Sequence, residues 1–327
     1  MISFLYRKLK GFETLTYKQQ KEIANFLENF INLSKPAKTS KGSKSFADWY
    51  IYKKVNIPVN PVFMEKMIVK EKELEIEIRK MVDECNWINK EECLRLDKLS
   101  FLKQYRKSIE FVSNRDLLNI EKEKMPEEWI EIFKETDKTR KKDKLIALWN
   151  SVCEKELSNT ISYLKENLFE FELIMDHGQY AVLYSVKSEN DEILYYEGGI
   201  PINFMYFSEM HQDWSNIPES IKKFYKKLHN GFYYLPSKAM GLVPMESITH
   251  FEDHEWGILE ELDEPVGINM AATYGFFENG MGGYVAIDLN NCIGDVATLW
   301  FTNDKPEYNV NFWDIVDEWI VIGLQDN

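Results

Sequence analysis

The apolar positions of this chain follow two periods. Up to about residue 165 they recur every three or four residues, the spacing of a helix with one buried face; from residue 169 they alternate, as in strands. Residues 1–33 are predicted helical, with Ile23, Phe26, Leu27, Phe30 and Ile31 on one face. The stretch 34–45, rich in Ser, Lys, Gly and Pro, reads as a basic loop. Pro58 and Pro61 mark an extended segment before a long helix from about Val62, in which Leu74, Ile78, Met81, Val82 and Cys85 keep the helical period. Leu74, Ile76 and Ile78 also alternate, but the Glu and Lys between them favour helix. Further helical pieces are expected around 90–112 and 126–136, and another from about Leu145 to Leu168 with Leu148, Val152, Leu157, Ile161 and Leu164.

Short β-rich runs follow at 169–175, 181–186 and 192–196. Asp-His-Gly at 176–178 and Ser-Glu-Asn-Asp at 188–191 separate them with turn chemistry, so an antiparallel meander is the simplest topology. A helix over 217–229, a glycine hairpin at 280–283, strands at 284–289 and 297–302 and a closing helix over 311–320 complete the pattern. In that last helix Phe312, Ile315, Val316 and Trp319 are expected inside, with Asp314, Asp317 and Glu318 outside. The order implies an α+β protein: an antiparallel sheet with flanking helices over 145–327, preceded by a mainly helical basic region over 1–144.

Charge sharpens the division. The net −14 hides 31 Lys+Arg against 24 Asp+Glu in residues 1–150, and 9 against 30 in residues 151–327. Such a split suits two units with different partners, or with each other as partners. Compositional drift between a Lys/Glu-rich helical half and an acidic half is the plainer reading of the same numbers. Cys85, Cys93, Cys153 and Cys292 have no paired spacing and read as reduced thiols. No apolar run approaches the roughly 20 residues of a membrane span, and residues 1–8 lack a signal-peptide core, so a cytoplasmic protein with no membrane partner is expected.

Two blocks stand out. Ile217-Pro218 opens a helix with Phe224-Tyr225 on its apolar side and Lys222, Lys223, Lys226 and Lys227 on the other; Asn230-Gly231 reads as its stop. About fifty residues on, Gly280-Met281-Gly282-Gly283 runs into a strand that ends at Asp288. In this order and separation, and with the closing helix after them, the blocks resemble the SUKH superfamily, which includes bacterial immunity proteins and a fungal regulator of cell-wall synthesis. The resemblance spans roughly residues 145–327. It implies a domain that binds other proteins without catalysis, in bacteria often a cognate toxin. Ile217, Pro218, Phe224, Tyr225, Asn230, Gly231, Gly282, Gly283 and Asp288 match the family pattern and are expected to be structural.

The candidate contact surface is acidic. Glu252, Asp253, Glu255, Glu260, Glu261, Asp263 and Glu264 crowd one segment, with Trp256 among them. Acids beside an exposed aromatic would steer and anchor a basic partner, such as a toxin that binds nucleic acid. A solvated acidic face with Trp256 in the core is the competing reading. His250 and His254, four apart, lack the offsets of a zinc-protease motif and a third ligand. The glycines at 280–283 precede a strand rather than a helix, which favours a hairpin over a phosphate cradle. No nucleophile elbow is present. The lysines of 35–44 and 138–144 can face phosphate, but the net balance of this half is modest and many of its lysines face glutamates at helical spacing, so direct nucleic-acid binding is not expected. The expectation is therefore a protein without catalytic residues, metal or cofactor that neutralises a basic toxin through 252–264; the alternative is an intracellular scaffold or signalling protein.

Overall fold

The computed structural model describes residues 9–26, 33–42, 44–53, 55–117, 119–120, 124–201 and 214–325. It divides into two compact units, Met1–Ser100 and Phe101–Asn327. The division expected at 144/145 falls instead inside a helix, because the segment before it packs in the same core as the sheet.

In the first unit, α1 (Tyr17–Ala24) opens with a reciprocal cap: the Thr16 hydroxyl accepts from Gln19 N at 3.3 Å, and Gln19 Oε1 accepts from Thr16 N at 3.0 Å. Its Ile23 packs with Leu74, Ile78 and Val82 of the long helix that follows. Leu27, Phe30 and Ile31 of the expected N-terminal helix lie outside the described residues. The expected basic loop is in part helical. Ser34 caps α2 (Lys35–Lys41) by accepting from Ala37 N, and Pro36 sits in the first turn, where its missing N–H leaves nothing unpaired. Strands β1 (Ile51–Tyr52) and β2 (Ile57–Pro58) form a small hairpin, and α3 (Pro61–Leu102) is the long helix the period predicts.

The second unit is α+β. Its strands are β3 (Glu110–Phe111), β4 (Leu168–Asp176), β5 (Gln179–Lys187), β6 (Ile193–Gly199), β7 (Asn230–Tyr234), β8 (Ala239–Leu242), β9 (Thr249–His250), β10 (Thr273–Glu278), β11 (Gly283–Asp288), β12 (Val296–Phe301) and β13 (Glu307–Asn311). They form one 11-stranded sheet in the order β13-β12-β11-β10-β8-β7-β6-β5-β4-β3, with β9 on β10. Every pairing is antiparallel. The helices are α4 (Asn114–Leu117), α5 (Glu127–Lys134), α6 (Lys138–Cys153), α7 (Ser158–Asn167), α8 (Glu219–Lys227) and α9 (Phe312–Gln325).

Strand alternation gives the sheet two buried faces. Val182, Tyr184, Tyr196, Phe232, Val285, Ile287 and Leu299 point into the larger core with Trp129, Trp149, Leu164, Phe224 and Phe312 of the helices. The opposite side chains of β11 and β12, Ala286 and Trp300, pack under Phe251, Trp256 and Ile258. Between β6 and β7, the opposite face carries Glu197 and Tyr233 beneath Arg106.

One helix is expected over 145–168, and two are found. The interruption at 154–157 contains no breaker residue. It is stabilised from α9: Asp317 Oδ2 accepts from Asn159 N at 2.9 Å and Oδ1 from Thr160 N at 2.8 Å, so a buried carboxylate caps the N-terminus of α7. Asp317 is thus an inward-facing residue, in contrast to Asp314 and Glu318, which are exposed as expected.

Candidate protein-binding face

The acidic segment covers the second face of β10–β12. It begins at β9, which pairs with β10 through His250 opposite Tyr274, and proceeds through three short 3₁₀ turns: Phe251–Asp253, Gly257–Glu260 and Met270–Ala272. Its apolar side chains turn inward. Phe251, Trp256 and Trp300 form a triangle with ring centroids 4.7, 5.2 and 5.3 Å apart, closed by Tyr284 at 5.6–6.0 Å. Trp256 is only 8% exposed, and its indole N–H donates to Phe251 O at 2.8 Å. It is therefore not the exposed aromatic anchor of the toxin-contact expectation. Once its N–H is bonded locally, the remaining ring gains most from burial.

The acids turn outward. Glu252, Asp253, Glu255, Glu260, Glu261, Asp263 and Glu264 are all exposed. Among the described residues, two of them meet a cation-forming group: Asp253 lies 3.2 Å from His250 Nδ1, and Asp263 lies 3.4 Å from the exposed Lys305. The segment presents a largely uncompensated negative surface, with Leu259 as its exposed large apolar side chain.

Three anchors hold this cover. Asp288, at the end of β11, accepts from Asn269 N at 2.8 Å, from Asn290 N at 3.0 Å and from Asn291 Nδ2 at 2.7 Å. The Tyr308 hydroxyl of β13 accepts from Gly267 N at 3.0 Å. His250 stacks on Tyr274 at 4.7 Å, and its Nε2 faces Ala271 O at 3.1 Å. Both His250 nitrogens thus face protein oxygens, and the ring fastens the segment to β10. His254 is exposed beside Trp256. Among the described residues no cluster of His, Cys, Asp and Glu has the geometry of a metal site.

The residues of the family pattern lie away from this face, except Asp288. Ile217, Phe224 and Tyr225 are buried, Pro218 is the residue before α8, and the Tyr225 hydroxyl donates to Val243 O at 2.7 Å. Asn230 bridges outward: its Oδ1 accepts from Met245 N and its Nδ2 donates to Glu246, each at 2.9 Å. Gly231 does not end the helix, which stops at Lys227. It is the extra residue of a bulge in β7, where Gly198 pairs with Phe232 and Gly199 with Asn230. Its φ of 81° and a Cβ position 2.7 Å from Pro244 N leave room for glycine alone. Gly282 and Gly283 lie in the expected hairpin, where Asn279 Oδ1 accepts from Met281 N at 2.9 Å and Gly283 N at 2.8 Å.

Two buried polar groups escaped the sequence reading. The first is a chain in the larger core. Gly199 O can only accept, so His229 Nδ1–H donates to it at 3.0 Å; Nε2 then accepts from the Tyr184 hydroxyl at 2.7 Å, and that oxygen accepts from Trp149 Nε1–H at 3.1 Å. Burial pushes the His229 imidazole down to about 3 and the Tyr184 hydroxyl well above its ordinary value. The second lies on the opposite face. Arg106 Nη1 is 2.8 Å from Glu197, its Nη2 donates to the Tyr233 hydroxyl at 2.8 Å, and that hydroxyl donates to Glu197 at 2.8 Å. Next to it Ser108 donates to Asp176 and lies 2.9 Å from the exposed His177 Nε2. There the serine hydroxyl donates to the carboxylate directly, an order unlike the Ser–His–Asp relay. His229 and Glu197 sit within apolar runs, and that placement is the one local sign of their burial; their partners are distant in sequence.

No family model matches this chain, and no curated protein or solved structure matches it either.

Proposed function

We propose that the second unit is a binding domain of the immunity type, which neutralises a basic toxin by occluding it through the acidic face of residues 252–264. The observation that carries this reading is the orientation of that segment. Its aromatic and aliphatic residues anchor it to the sheet, while all seven acids face solvent, five of them with no cation partner among the described residues. A rigid negative surface raises encounter rates with a basic partner and disfavours acidic ones. A nuclease suits this surface because it must carry positive charge to neutralise phosphates. The ordered resemblance to the SUKH pattern supports the same reading. With Trp256 inside, affinity comes from charge and from Leu259, and the partner supplies most of the apolar anchor.

The test is charge reversal. Glu260→Lys, Glu261→Lys, Asp263→Lys and Glu264→Lys combined should leave the melting temperature nearly unchanged, because none of these side chains is buried, and should abolish protection against a toxin encoded beside this chain. Trp256→Ala should show the opposite signature in purified protein, a stability loss of about 3–5 kcal/mol. Protection that survives the fourfold reversal removes this face as the contact. Association should also slow as salt rises, and a salt-independent rate would point to an apolar interface elsewhere.

A further inference from the structure

The first unit carries a surface of opposite character. From Ser34 to Met64 the sequence holds six lysines (Lys35, Lys38, Lys41, Lys44, Lys53 and Lys54) and one acid, Asp48, in a chain whose net charge is −14. This stretch is a small folded module. Helix α2, the β1–β2 hairpin and the start of α3 close over Ala37, Phe46, Trp49 and Val59. Ser40 ties helix to hairpin: its hydroxyl donates to Ile51 O at 3.3 Å and accepts from Trp49 Nε1 and Lys53 N, each at 3.1 Å.

With that core closed, apolar side chains remain outside it. Tyr50 is 62% exposed, Val55 61%, Ile57 56% and Val62 62%. Val55 lies in the turn of the hairpin, directly after Lys53-Lys54 in sequence. Lys35, Lys38, Lys44 and Lys53 have no carboxylate partner among the described residues, and Lys44 Nζ sits 6.0 Å over the Tyr50 ring. Unneutralised lysines beside an exposed aliphatic turn are complementary to a surface that is anionic at its rim and apolar just beneath.

We propose that this hairpin docks on an anionic lipid surface, with Val55 and Ile57 entering the headgroup boundary, Tyr50 at its level and Lys35, Lys38, Lys44 and Lys53 on lipid phosphates. Aliphatic side chains decide against nucleic acid, whose bases are bound by aromatic stacking and arginine; this module exposes a single large aromatic, Tyr50, and contains no arginine. They are presented on an exposed turn rather than in a groove, the shape that enters a lipid interface. This departs from the sequence-based expectation of no membrane partner, which rested on the lack of a spanning segment; among the described residues no helix is long and apolar enough to cross a membrane. A contact that lies on the bilayer needs no such helix.

The test is flotation of the full chain with phosphatidylcholine vesicles, with and without about 30 mol % phosphatidylglycerol. Binding should be at least about tenfold tighter with the anionic lipid and should weaken as NaCl rises from about 0.1 to 0.5 M. Val55→Asp combined with Ile57→Asp should lower it about tenfold or more with an unchanged melting temperature. Lys35→Glu with Lys38→Glu should weaken it through charge alone and stands as the second variant should the aspartates disturb the hairpin. Equal binding to both vesicle types overturns the proposal. So does binding indifferent to both variants, or tighter retention on RNA at equal phosphate that ignores Val55→Asp and Ile57→Asp.

Discussion

His229 ties the stability of the second unit to pH. Its ring is completely enclosed; the surrounding rings are Trp129 at 5.0 Å, Tyr184 at 5.5 Å, Trp149 at 5.7 Å, Phe232 at 6.0 Å and Phe224 at 6.4 Å. A Cβ on Gly198 would lie 2.5 Å from the imidazole, so the ring rests directly on β6. A second proton would have to enter at Nε2, which already accepts from Tyr184, and the charge would face aromatic rings without a carboxylate. Burial therefore holds the folded value at about 3, against 6.5 for an ordinary imidazole. The unfolded chain then binds a proton that the folded chain refuses. The contribution is fully present above pH 6.5 and is lost as pH falls from 6.5 toward 3, with a slope approaching 1.4 kcal/mol per unit and a total of about 4–5 kcal/mol.

The assay isolates this group by difference. Urea unfolding of the native chain and of His229→Gln is measured at several pH values between about 7.5 and 4.5. Every other titrating group is common to both proteins, so the stability gap reports the imidazole. Gln retains a donor and an acceptor but does not titrate. The native chain should be the more stable at neutral pH, and its advantage should shrink by about 2–3 kcal/mol by pH 4.5. A gap independent of pH would refute the reasoning, because it would mean that the buried ring takes up its proton as readily as the unfolded one.

Two further outcomes follow from the other buried groups. Asp317→Ala removes the acceptor for two N–H groups of α7, so it should cost about 2 kcal/mol in urea unfolding and speed amide exchange at Asn159 and Thr160. Arg106→Met leaves the Glu197 carboxylate buried without its cation and should cost about 3–5 kcal/mol, while Arg106→Met with Glu197→Leu should regain most of that loss. A double variant no better than the single one would mean that the ion pair is not what the arginine supplies.

The difference between what was legible and what was not follows sequence distance. The meander, the hairpin at 280–283 and the two amphipathic helices α8 and α9 are written in local period and turn chemistry; α8 appears within two residues of its expected ends, while β6 runs three residues and α9 five residues past theirs. The exposure of the seven acids was legible for the same reason. Much of what failed depended on partners far along the chain. The break between α6 and α7 is capped by a residue 158 positions away, and Glu197 is neutralised by one 91 positions away. Asn230-Gly231 reads locally as a helix stop, but the use of Gly231 as a bulge is set by Leu242–Pro244 packing against it. At 34–45 the start signals Ser34 and Pro36 were in plain sight, outweighed by a Ser/Gly/Lys composition that suggested a loop. Trp256 lay between two readings because an aromatic among acids has the same sequence whether it faces in or out. The sheet decides, since Ala286 leaves a space over β11 beside Trp300 into which a large ring fits.

That inward turn has a consequence for how such a face can change. In the segment 250–272 the groups that determine folding and the groups available for recognition are different side chains. Phe251, Trp256, Ile258 and the three anchors at Asp288, Tyr308 and His250 fix the backbone, and the acids lie on its solvent side with little to hold in place. Substituting an exposed acid removes no packing, and an exposed charge pair such as Asp263–Lys305 contributes at most about 1 kcal/mol. The charge pattern can therefore be redrawn position by position at nearly constant stability, whereas any change at the aromatic triangle shifts the whole cover. A domain selected for partner discrimination gains from that separation, because affinity for one partner can be exchanged for another without first restoring the fold.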